Sequence, residues 1–215
     1  MNNIYDIFIK IYKIIVNPKD FYFNKIASKL RHKRYPNCHP SAIVNNPIKF
    51  NPSHVTLEEG VYIFKNGRIE CVTEYAGETF EPELSIGDHT SIQQNVHITC
   101  AKKVSIGKWC AITHNVTITD IDHTYEYYHS HSTPPIFNSL NSNTLQIGDY
   151  CMIFPNAVIL GGTELGERCV VAANSVVRGK FPSYCLIGGI PAKILKRYNP
   201  KSGRWEKTNP DGTFL

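Results

Sequence analysis

What this sequence lacks narrows it first. Its seven cysteines (Cys38, Cys71, Cys100, Cys110, Cys151, Cys169 and Cys185) contain no C-x-x-C pair and are odd in number. That argues against a disulfide framework and a structural zinc site, so no metal is expected and a reducing, cytoplasmic setting is the expectation. No apolar run is long enough to span a bilayer, because the best one, Ile4 to Val16, has only 13 residues and carries Asp6, Lys10 and Lys13. No small-residue cleavage site follows it, which speaks against a signal peptide. Charge of one sign is not concentrated either: 23 basic and 18 acidic residues are spread along the chain for a net +5. A nucleic-acid partner is therefore not expected, and a modest attraction for anionic ligands is. With 42% hydrophobic and 19% charged residues, the composition excludes disorder and collagen and supports one main domain with short appendages.

In the N-terminal segment, residues 1–38, Ile4, Ile7, Phe8, Ile11, Ile14 and Ile15 recur at three- and four-residue steps, with Asp6, Lys10 and Lys13 on the other face. This spacing predicts an amphipathic helix that caps the main domain or packs on a neighbouring subunit. The basic cluster Arg31, His32, Lys33, Arg34 leaves peripheral contact with the inner face of the membrane as a second role.

The dominant signal is a period of six. Ile147, Ile153, Ile159, Leu165, Val171 and Val177 form one run, and Ile86, Ile92, Ile98 then, after a two-residue slip, Ile106, Ile112, Ile118 form another. Neither the helical period nor simple alternation gives that spacing. Three hexads make an 18-residue unit. Four units open on an apolar residue and glycine (Ile86-Gly87, Ile106-Gly107, Ile147-Gly148, Leu165-Gly166), and a fifth opens at Leu57. Nine residues after each opening stands an asparagine: Asn66, Asn95, Asn115, Asn156 and Asn174. Glycine and asparagine most easily take positive φ, so each column predicts a tight corner repeated once per turn. The fold class is then mainly β: a triangular coil over residues 39–180, five turns from Leu57 onward, its apolar heads stacked inward and its rungs about 4.8 Å apart. Insertions fall at one corner, after Ile69, Ile98 and Ile118. The longest, the excursion loop 119–146, is where binding residues are expected. Residues 181–215 form a C-terminal extension.

The stretches "QQNVHITCAKKVSIGKWCAITHNVTITDIDH", "IGDYCMIFPNAVILGGTELGERCVVAANSVV" and "IGGIPAKILKR" resemble the hexapeptide-repeat acyltransferases, in particular the galactoside and maltose O-acetyltransferase group and relatives that acetylate bacterial surface polysaccharides. The resemblance implies a left-handed parallel β-helix, acetyl-CoA as co-substrate, a carbohydrate acceptor, and a homotrimer with active sites between adjacent coils. Carried over by position, His123 matches the catalytic base and Asn95 an acceptor-holding asparagine. Ala173 matches a residue whose backbone meets the pantetheine arm, and Lys193 and Lys196 match basic residues near the adenosine phosphates. Two departures stand out. Ile153-Phe154-Pro155 replaces the family's glycine and small residues and narrows the pantetheine channel, and Arg178 occupies a cofactor-side position where a threonine is frequent.

Acyl transfer from a thioester to an alcohol needs a base near its working pH, and an ordinary imidazole, with a pKa near 6.5, meets that need. Asp122 is a candidate to orient it, although an aspartate at a turn also serves as a local backbone cap. Tyr125 on the loop, with Tyr127, Tyr128, His129 and His131 nearby, suits the mixed apolar and hydroxyl surface of a sugar. The alternatives are an N-acetyltransferase on a nucleotide-linked amino sugar, an antibiotic O-acetyltransferase, a non-catalytic scaffold, and a γ-carbonic-anhydrase-like metal lyase. The last resembles a family that binds zinc with three histidines across a subunit boundary and needs a close histidine pair separated by four residues, which is not found among His89, His97, His114 and His123.

Overall fold

The structure is a computed structural model that describes residues 37–124 and 138–215. The expected N-terminal helix and Tyr125, with its neighbouring loop aromatics and histidines, lie outside the described residues. Almost every described element is a short strand, and the strands stack in three parallel sheets that form the faces of a triangular coil. Face one stacks Val55–Leu57, Glu83–Ile86, Lys103–Ile106, Leu145–Ile147, Glu164–Leu165 and Lys180–Phe181. Face two runs from Ile43–Val44 through Tyr62–Ile63, Ser91–Ile92, Ala111–Ile112, Met152–Ile153 and Val170–Val171 to Cys185–Gly189. It then continues antiparallel into Ala192–Asn199 and Arg204–Lys207. Face three stacks Lys49–Phe50, Arg68–Cys71, His97–Cys100, Thr117–Thr119, Val158–Leu160 and Val176–Val177.

The six-residue period follows directly from this geometry: each head points inward and lies over the head of the preceding turn. Ile63, Ile92, Ile112, Ile153 and Val171 form one such column, and Ile69, Ile98, Ile118, Ile159 and Val177 another, all buried in one hydrophobic core. Burial of these columns is the main favourable term, at about 25 cal/mol per Å² of apolar surface. The ladder extends beyond the five turns expected from Leu57. The strands Ile43–Val44 and Lys49–Phe50 precede them, and parallel pairing continues past residue 180 to Ile187. The first of these lie within the coil expected from residue 39, whereas the pairing past residue 180 is hidden in the sequence because it lacks the apolar-glycine opening.

At the second corner, between faces two and three, the asparagine column behaves as expected. Asn66, Asn95, Asn115, Asn156 and Asn174 have φ between 57° and 62°. Their amides also bond up the stack: Asn66 donates to Asn95, Asn95 to Asn115, Asn115 to Asn156 and Asn156 to Asn174, at 3.1–3.3 Å.

At the first corner the expectation needs correction. Gly87, Gly107, Gly148 and Gly166 are not at positive φ; the left-handed residues there are His89, Trp109, Tyr150 and Arg168, two positions later. Glycine is needed because the next turn passes so close. A Cβ on Gly87 would lie 2.7 Å from the Lys108 nitrogen, and one on Gly166 would lie 2.4 Å from the Ser183 nitrogen. The bulky left-handed residues partly offset their backbone cost by stacking. His89 lies 4.3 Å from Trp109 by ring centroids, and the Arg168 guanidinium lies 4.4 Å over the Tyr150 ring. The seven cysteines are buried. Cys110, Cys151 and Cys169 sit on the inner side of this corner, where each thiol donates to a backbone carbonyl of the following turn at 3.2 Å.

Candidate active site

The third corner, between faces three and one, carries the insertions, and its chemistry starts from Asp120. This residue follows directly on the strand Thr117–Thr119 and is 1% exposed. Its carboxylate accepts three backbone N–H groups, from Ala101, Lys102 and Lys103, at 2.8 Å each, and the Cys100 thiol at 3.6 Å. An uncompensated buried carboxylate would be costly, whereas this one is satisfied by donors of the shorter insertion one turn earlier. Its carbonyl accepts the Asn143 N–H at 2.9 Å, and Gly161 has no Cβ because one would approach that carbonyl oxygen to 2.9 Å. Both ends of the excursion are thereby pinned to the coil. Sequence reading passed over Asp120; its place directly after a face-three strand, where the chain leaves the coil, was the available signal.

From this anchor the arms run outward as an antiparallel pair, Ile121–His123 against Leu140–Ser142. The pairing continues where Thr124 donates its backbone N–H and its hydroxyl to the Ser139 carbonyl, both at 3.1 Å, and where Asn138 donates to the Thr124 carbonyl. His123 therefore sits at the end of a braced strand, exposed. The ring of Tyr75, from the insertion that leaves the second turn, lies 5.4 Å from the imidazole at an interplanar angle of 69°. Tyr75 was not among the residues singled out from sequence, because nothing in its spacing connects residue 75 to residue 123.

Asp122 does not orient the imidazole among the described residues. Its carboxylate accepts the Arg178 guanidinium at 2.5 Å. Asp122 and Arg178 are brought together across 56 positions of sequence, and Arg178 stands at the foot of the loop. Both partners are about half exposed, so the pair contributes little to stability.

The other expected site residues lie elsewhere on the coil. Asn95 is at the second corner with its amide nitrogen and oxygen both in the ladder. Ala173 is exposed at the same corner, three turns further along. Lys193 and Lys196 are on the antiparallel strand that follows face two, beyond the last parallel rung, with Lys193 exposed. Phe154 is partly exposed on the outside of face two, and the Pro155 carbonyl accepts the Asn174 N–H at 3.0 Å. Within one chain, His123 is thus separated from Asn95, Ala173 and the two lysines by the breadth of face three. A shallow depression of about 570 Å³ on face one is lined by Gln146, Glu164 and Lys180 among others, and by none of the expected site residues. The four histidines relevant to a metal lyase do not converge: His89 is at the first corner, His97 on face three, His114 beside the second corner and His123 on the loop arm. Among the described residues no group of three or more His, Cys, Asp or Glu side chains is placed to hold a metal ion.

The coil with its corner excursion defines a class of protein, and comparison with known proteins agrees. Residues 145–179 match the family model described as bacterial transferase hexapeptide, six repeats. The hexapeptide-repeat acetyltransferase VCA0836 of Vibrio cholerae O1 biovar eltor, solved with acetyl coenzyme A, is similar at 30% identity and a TM-score of 0.54, covering 66% of this chain and 70% of that one. WbbJ of Escherichia coli strain K12, named for lipopolysaccharide biosynthesis O-acetyl transfer, is 38% identical over 129 residues, 58% of this chain and 65% of WbbJ. A serine acetyltransferase of Staphylococcus aureus strain Mu50 is 27% identical over 152 residues, 71% of this chain and 64% of that protein. The chain thus spans less than two thirds of the length of these curated relatives. It belongs to the hexapeptide-repeat acetyltransferases, and its fold is their left-handed parallel β-helix.

Proposed function

We propose that this chain transfers an acetyl group from acetyl-CoA to a hydroxyl of a carbohydrate, an acceptor in bacterial surface polysaccharide or one of its precursors, with His123 as general base. The observation that carries the reading is the position of His123: exposed, at the end of a strand braced by Asp120 and by the returning arm. In this mechanism the imidazole takes the acceptor's hydroxyl proton as the oxygen attacks the thioester carbonyl carbon. The tetrahedral oxyanion then collapses, the C–S bond breaks, and the imidazolium returns its proton to the leaving thiolate. No covalent enzyme intermediate is required. The similarity to WbbJ, named for O-acetyl transfer in lipopolysaccharide biosynthesis, supports oxygen over nitrogen as the acceptor atom.

The same reading includes a trimer. His123 at the third corner and Asn95 and Ala173 at the second are too far apart around one coil to form one site, yet they would face each other where two coils pack side by side. From Thr99 onward the outward residues of face three favour such packing: Thr99, Thr117, Thr119, Val158, Leu160 and Val176 are small or apolar. The ion pairs of face three, Lys49–Glu70 and Arg68–Glu70, lie in its first two rungs, whereas face one carries Lys103–Glu83 and Lys180–Glu164 along the later stretch. Along the second corner the line from Asn95 past Pro155 and Ala173 to Lys193 descends about four rungs, or roughly 19 Å at 4.8 Å each. That run suits an extended pantetheine arm ending on cationic side chains for the phosphates. A cytoplasmic location, with the N-terminal segment at the inner face of the membrane, completes the proposal.

The test is mass spectrometry of products after incubation with acetyl-CoA and a panel of neutral sugars, amino sugars, nucleotide sugars and polysaccharide fragments. Addition of one acetyl group to a hydroxyl is the expected result. Acetylation confined to amines would replace the reading with N-acetyl transfer, and no acetyl-CoA turnover with any acceptor would overturn it.

A further inference from the structure

The insertion leaving the second turn forms a structure of its own. Glu74–Tyr75 and Glu78–Thr79 pair antiparallel around Ala76 and Gly77, whose φ values are 52° and 79°. Positive φ at both central residues gives the two-residue turn that matches the natural twist of a hairpin. One step further out, the Phe80 N–H donates to the Thr73 carbonyl at 2.9 Å. The register sets Tyr75 opposite Glu78, so both side chains leave the same side of the ribbon. That side meets the excursion arm, because the Tyr75 ring lies 5.4 Å from the His123 imidazole and nearly perpendicular to it. Among the described residues no side chain hydrogen-bonds the His123 ring, since Asp122, the obvious candidate, is taken by Arg178. Glu78 is exposed and forms no ion pair among the described residues.

We propose that this hairpin is the acceptor-side wall of the active site, with Tyr75 as the positioning residue that holds the His123 imidazole and Glu78 as the charge that selects neutral over anionic acceptors. The proposal rests on the reading of His123 as base. An edge-to-face contact fixes the tilt of a ring that a flexible side chain would otherwise leave free. A base must point at one hydroxyl, and small errors of placement are costly in rate. A carboxylate on the same side accepts hydrogen bonds from sugar hydroxyls and repels a uronic acid or sialic acid carboxylate.

The experiment uses the full chain with ¹³C-labelled histidine, the His123 signals being assigned by their loss in His123→Ala. Ring protons of His123 displaced by the Tyr75 ring current are expected in the wild type. They should be retained in Tyr75→Phe and should move to free-histidine positions in Tyr75→Ala. In steady-state kinetics, Tyr75→Ala should lower kcat about tenfold with little change in KM for acetyl-CoA, and Tyr75→Phe should restore it. Glu78→Gln should raise kcat/KM for a glucuronate-containing acceptor about threefold relative to a neutral one. Unmoved His123 signals in Tyr75→Ala, or displaced signals with an unchanged kcat, would overturn the positioning role. An unchanged acceptor ratio in Glu78→Gln would overturn the selective one. Full turnover by His123→Ala would refute the base assignment and the proposal's premise, while the ring-current comparison still decides whether Tyr75 holds the imidazole.

Discussion

The second and third corners of the coil solve the same problem, reversing the chain between two faces, in opposite ways. The second uses asparagine at five successive turns, each at positive φ and each hydrogen-bonded to the next. The third repeats little beyond the stacked Cys71 and Cys100 and the bonded Thr99 and Thr119: a tight hairpin leaves one turn, a short bend the next and the long excursion the one after, and Tyr75, Asp120 and His123 are each used once. Repetition marks architecture, because a residue whose role is to continue the stack is needed at every rung. In the proposed function the singular residues at the interrupted corner place the chemistry, because a site is needed once.

The comparison can be broken or sharpened by substitution. The largest effect belongs to the third corner: His123→Ala should lower kcat by about 10²–10⁴-fold, the range expected for loss of a general base, with the melting temperature unchanged. Asp120→Ala comes next. It leaves one buried and two partly buried backbone N–H groups without their charged acceptor and should cost about 2–3 kcal/mol in urea unfolding, with kcat reduced through misplacement of the His123 strand. At the second corner Asn115→Ala should cost about 1–2 kcal/mol, since it removes two ladder bonds and puts a Cβ-bearing residue with no local polar partner at φ 59°. Asn95→Ala should match that loss of stability and differ in activity. If the corner of one copy faces His123 of another, kcat falls at Asn95 and not at Asn115. Arg178→Ala should be the mildest, within about 1 kcal/mol in stability, because its ion pair with Asp122 is half exposed.

Legibility in the sequence followed the same division. The period of six, the inward columns and the left-handed asparagines were readable because each is stated many times over. The glycine column was readable as a position and misread as to cause. Close approach of the next turn is a property of neighbouring coils and has no signature in local spacing, so the left-handed residues of the first corner, Trp109 and Tyr150 among them, went unnoticed. His123 was singled out through its place at the start of the excursion and the motif around it. Asp120, Tyr75 and the tie between Asp122 and Arg178 were not found, because each depends on which insertions meet at one corner, and their partners lie 17 to 56 positions away in sequence.

The central claim is that one unrepeated side chain at the interrupted corner performs the chemistry. Its most direct test is the rate of acetyl transfer by His123→Ala and Asn115→Ala beside the wild type, read as acetylated product by mass spectrometry at saturating acetyl-CoA. The account predicts that His123→Ala loses at least about a hundredfold in rate while unfolding like the wild type, and that Asn115→Ala unfolds more easily while transferring acetyl at the wild-type rate. Near-wild-type transfer by His123→Ala would contradict it and move the base away from this corner.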